Sequence, residues 1–113
     1  MTEEQQQLLH QFILIDMAHR SLMSDKEQIE KYPDRFKTEK LQDVINKLLD
    51  AIHHDYYNLQ RLLRLNKIQV GGWKRVDDEH SNYLYTMQGI EGVLKYNNKQ
   101  LKNEVENMLT QKF

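Results

Sequence analysis

The chain has 113 residues, with 16 basic and 17 acidic side chains and a formal charge of −1, so no overall basic excess marks it as a nucleic-acid binder. It has no cysteine, which excludes disulfides, thiolate zinc sites and a cysteine nucleophile. Hydrophobic residues make up 39% and charged residues 29%, enough apolar content for one domain over 1–113 and too much for a disordered tail. The start, Met1-Thr2-Glu3-Glu4-Gln5, lacks the pattern of a signal peptide. The longest apolar run, Phe12 to Ile15, is far short of the ~20 residues a membrane span needs. A cytoplasmic protein is expected. One proline and four glycines point to long helices.

The first helix is expected to start at Thr2, whose hydroxyl can cap the Gln5 amide, with Glu3 and Glu4 favourable in the first turn. Leu8, Phe12, Ile15 and Leu22 share one face, while Leu9, Ile13, Leu14, Met17 and Ala18 spread around the rest. A helix apolar all round is buried on more than one side: either it sits centrally or a second chain covers its spare face. Lys26 would fall on the core stripe, and Ser24 followed by Glu27 reads as a fresh capping box. A break near Ser24 and a short helix to about Lys31 are therefore expected, followed by an extended link or helix start at Tyr32-Pro33.

The second helix, Thr38 to Leu65, is the clearest element. Leu41, Val44, Ile45, Leu48, Leu49, Ile52, Tyr56, Leu59, Leu62 and Leu63 form one stripe, and the helix would span ~40 Å. Arg61, Arg64 and Lys67 complement its carboxyl end. Residues 67–76 read as a loop or a tiny β-hairpin, with Ile68-Gln69-Val70 and Trp73-Lys74-Arg75-Val76 turning at Gly71-Gly72. Asp77 or Asp78 then caps a third long helix, Glu79 to Gln111. Its stripe is Tyr83, Met87, Ile90, Leu94, Leu101, Val105 and Met108, whose phase survives Asn97 and Asn98. The sum is an all-α fold: an antiparallel bundle of three long helices plus a short one.

No nucleophile-and-base set, nucleophile elbow or phosphate-binding loop is evident, and Ser24 and Ser81 read as helix-start residues. No cofactor and no small-molecule substrate are expected. Asp50, His53 and His54 form an acidic-x-x-His pattern, but Asp50 and His54 lie opposite their helix's apolar stripe, whereas di-metal bundles need inward ligands from several helices. A metal-binding bundle is therefore the third reading. His19 falls on the apolar side of its helix, where a hydrogen-bonded, half-buried imidazole is expected.

The leading reading is a non-enzymatic module that binds another protein or itself as a homodimer. Two surfaces could serve. One is the over-apolar first helix, through Leu9, Ile13, Leu14 and Met17. The other is the back of the third helix, where Tyr85, Gly89, Gly92 and Tyr96 recur at i, i+4, i+7, i+11. Two glycines on one helix face cost ~1 kcal/mol each, which a close helix approach would explain. The alternative is a nucleic-acid accessory protein, in which Arg61, Arg64, Lys67, Lys74 and Arg75 track a backbone and Trp73 stacks a base.

Overall fold

Residues 1–31 and 38–111 are described by the computed structural model, and the link at Tyr32-Pro33 lies outside them. Helix α1, Glu3–Lys31, begins with a reciprocal cap. The Gln5 N–H donates to Thr2 Oγ1 (3.1 Å), and the Thr2 N–H donates to Gln5 Oε1 (2.9 Å), so two end donors are satisfied together. The helix does not break at Ser24. Leu22 and Ile29 are both buried in the cluster with Ile45, Leu48 and Leu49, and keeping both there requires unbroken helical phase between them. Lys26 is only half-buried, as a long aliphatic stem with a wet head allows.

Helix α2, Thr38–Leu65, has the expected bounds, and Ile45, Leu48, Leu49, Ile52 and Leu63 from its stripe are buried. The chain leaves it through Lys67 in the left-handed region (φ 58°), with the Lys67 N–H donating to the Arg64 carbonyl (3.0 Å).

The remainder departs from a helical bundle. Strands β1 (Ile68–Arg75), β2 (His80–Met87) and β3 (Ile90–Asn97) form an antiparallel sheet in the order β1-β2-β3, and only Asn98–Gln111 is helical (α3). The all-α reading, with one helix from Glu79 to Gln111, is thus overturned. Gly71-Gly72 is not a hairpin turn either: β1 runs through both glycines and pairs with β2, with a register shift between Val70 and Gly72. The tight turn lies one connection later, at Gln88 (φ 52°) and Gly89 (φ 80°). Positive φ at both positions is the two-residue hairpin geometry that matches strand twist.

The false helical phase has a definite origin. Across a two-residue turn Met87 pairs with Ile90, so both face the same way. Tyr83 and Met87 on β2, then Ile90 and Leu94 on β3, therefore share one sheet face while being spaced 4, 3 and 4 in sequence. The same intervals place residues on one face of an α-helix. Asp77 does cap, but it caps a turn: its Oδ1 accepts from the Glu79 and His80 amides (2.8 and 2.7 Å). The Glu79 amide bond first, then the hydrogen bond to the His80 side chain, hold its carboxyl below the usual range. The cap of α3 is Asn97, whose Oδ1 accepts from the Gln100 N–H (3.1 Å).

Helix α1 is central. Its Ile15, Ala18, Leu22 and Ile29 pack with α2 and with Val105 of α3. Its Leu9, Phe12 and Ile13 pack with Leu63, Ile68 and Tyr83 beneath the sheet. Met17, Tyr56 and Leu59 touch both clusters and join them into one core. The apolar girth of α1 is thereby covered from within the chain.

Candidate functional site

The sheet presents two edges. On β1 the ladder is interrupted by the irregularity at Val70–Gly72, a device that discourages further strand pairing. On β3 all eight residues pair with β2 without a register shift, and the opposite side faces no strand. The Asn98 N–H donates to the Glu79 carbonyl (2.8 Å), and hydrogen-bonded pairs recur at every second residue of an antiparallel ladder. Tyr96, Leu94, Gly92 and Ile90 therefore direct their backbone groups at β2, while Glu91, Val93 and Lys95 direct theirs outward. An open groove of about 530 Å³ runs beside this edge, lined by Val93 to Tyr96 and by Glu3, Gln6, Gln7 and His10 of α1. Ile90 is 74% and Val93 44% exposed.

Behind the edge lies a polar network linking three elements. The Tyr96 hydroxyl sits 2.8 Å from His10 Nδ1, and His10 Nε2 sits 3.0 Å from Glu104 of α3. Burial, reinforced by the Glu104 charge, pushes the Tyr96 phenol up to about 12. The phenol therefore keeps its proton at ordinary pH, and the two ring nitrogens of His10 bridge it to Glu104. Trp73 packs edge-on against both Tyr83 and Tyr96, with centroids at 5.0 and 5.4 Å.

A second network clasps α1 to α2. His19 Nε2 and His53 Nε2 are 2.8 Å apart, a contact that needs one protonated and one bare nitrogen. Burial and then the charge of His53 lower the His19 pKa. His19 also stacks on Tyr56, and the buried Asp16 pairs with Arg20 at 3.1 Å. His19 is thus the half-buried, partnered imidazole expected from its position. Asp50 and His54 are exposed, and His53 turns to His19. Among the described residues, no three metal-ligating side chains converge.

A match to the family described as YhjD protein covers residues 1–113. The chain belongs to the YhjD protein family. No curated protein and no solved structure matches it.

In this YhjD-family chain the sequence-derived candidates are redistributed. Leu9 and Ile13 are fully buried, and Leu14 and Met17 pack partly buried against the core. Tyr85, Gly89, Gly92 and Tyr96 share no helix. Gly89 forms the hairpin turn, and Tyr85 pairs with Gly92 across β2–β3. A Cβ built on Gly92 would run into the Tyr85 ring, so the space expected for a second helix is filled by the chain's own tyrosine. The basic set is split. Arg61, Arg64 and Lys67 lie at one end of β1 and Lys74 and Arg75 at the other, a strand length of roughly 23 Å apart. Arg61 bonds Asn58 (2.9 Å), and Arg75 bonds Asp78 (3.0 Å). Trp73 is half-buried among tyrosines, as a lid rather than an exposed stacking platform. Sequence reasoning missed the β3 edge. The signal for it was a Tyr-, Thr- and Val-containing run punctuated by Gln88-Gly89.

Proposed function

We propose that this chain is a non-enzymatic interaction module that binds another protein chain as an added strand on the open edge of β3. The observation that carries this reading is an edge strand of full length, without a bulge or proline, that fronts an open groove. Backbone pairing supplies affinity in such strand addition, and side chains on alternate faces supply selectivity. The polar networks support the non-enzymatic part. The Glu104–His10–Tyr96 chain ties α1, α3 and β3 together, with its phenol half-buried against Trp73, which supports a bracing role. Among the described residues, no helix is long and apolar enough to cross a membrane.

The test is site-specific photo-crosslinking in the native cell. A benzophenone-bearing residue at position 93 should yield protein adducts, whereas the same group at position 47, exposed on α2, should not. If position 93 gives no more adduct than position 47, the reading fails.

A further inference from the structure

The side chains along β3 are arranged so that the strand complements itself. We infer that the partner at this edge is a second copy of the chain, joined antiparallel about a two-fold axis at Val93; the inference rests on the strand-addition reading above. In an antiparallel pair, outward-directed residues must meet outward-directed residues. An axis at Val93 meets that rule: Val93 faces Val93 of the second copy, and Glu91 faces its Lys95. By symmetry Lys95 then faces the second copy's Glu91, and the pairing supplies about six backbone hydrogen bonds.

Within the chain, Glu91 and Lys95 are exposed and neither has an ion-pair partner among the described residues. Charges on an edge strand normally discourage pairing, but in this register each one meets its opposite. Directly opposed unlike charges favour a cross-strand pair, and like charges oppose it. On the inner face the same register sets Ile90 opposite Tyr96 of the second copy, covering the most exposed large apolar side chain among those described. It also sets Gly92 opposite Leu94. Moving the axis to Gly92 or Leu94 keeps the backbone in phase but leaves Glu91 facing Val93 or Asn97, without the charge match. Such a contact is isologous and closes at two copies.

Charge reversal tests the register. Glu91→Lys and Lys95→Glu alter only exposed side chains, so each variant should keep the parent's circular dichroism. Each places two like-charge pairs at the interface and should weaken self-association about tenfold by sedimentation equilibrium. Mixing the two single variants should restore association, because in the hetero-pair the lysine introduced at position 91 of one copy meets the native Lys95 of neither copy but the glutamate introduced at position 95 of the other. The double reversal should restore it as well. Val93→Pro removes an outward N–H without touching the ladder to β2, and should abolish the dimer with the sheet intact. Monomeric parent protein at all accessible concentrations, or single reversals that associate like the parent, would overturn the inference. If position-93 adducts then carry the mass of a foreign chain, strand addition stands and self-pairing falls. If no adducts form, both fall.

Discussion

Replacing Gly92 separates the sheet from a helical arrangement by the sign of its effect. In a helix interior, Gly92→Ala would stabilise by about 1 kcal/mol. In β3, alanine also gains about 0.5–1 kcal/mol because glycine loses more conformational freedom on ordering. The new methyl, however, would occupy the place of the Tyr85 ring. Moving that ring off the cluster with Met87, Leu94 and Tyr96 costs roughly 1–3 kcal/mol, the usual penalty for overpacking. The net expectation is destabilisation by about 0.5–2 kcal/mol. In a Tyr85→Ala background the collision is gone, and Gly92→Ala should stabilise by about 0.5–1 kcal/mol. The coupling between the two positions is therefore roughly 1–3 kcal/mol. Urea denaturation followed by far-UV circular dichroism reads all four corners of the cycle, provided the urea dependence stays constant. Effects that add to within about 0.3 kcal/mol, or a stabilising Gly92→Ala in the parent, would refute the Tyr85–Gly92 contact.

The imidazole clasp and the α3 cap can be tested in the same way. His19 has its pKa lowered by burial, then by His53 and, less strongly, by Arg20, against an opposing pull from Asp16. The unfolded chain therefore binds the proton more readily. Stability from this site is fully present above the ordinary value of 6.5 and is lost as pH falls through the lower folded value. Urea midpoints at pH 7.5 and 5 should drop more in the parent than in His19→Gln; equal slopes would show that the clasp does not titrate. Asn97→Ala removes the α3 cap and should cost about 1 kcal/mol, with amide exchange accelerated in residues 98–101. Unchanged protection there would remove Asn97 from that role.

Local signals were readable where one element explains them. The Thr2 cap, the bounds of α2 and the half-burial of His19 each depend on a turn or on the face of a single helix, whereas the partner of His19, His53, comes from another helix. The candidate site was less legible. A free sheet edge is defined by which strand lies on the far side of a ladder, and no residue of β3 carries that information. The Tyr85 and Gly92 pair was visible as a pattern, but seven residues of separation served a helix as well as a hairpin. The apolar surplus of α1 was read correctly as burial on more than one side. Whether its own sheet or a foreign chain supplied the cover could not be read from α1.

The sequence by itself determined where α2 begins and ends, because its apolar stripe keeps a 3.6-residue period over many turns with no glycine or proline at which a hairpin could turn. Tertiary structure alone decided that residues 68–97 form a sheet over α1. Across the Gln88-Gly89 turn, strand alternation reproduces helical spacing. The choice falls to non-local pairing, and burial of Leu9, Phe12 and Ile13 beneath Tyr83 and Ile68 is available only to the sheet.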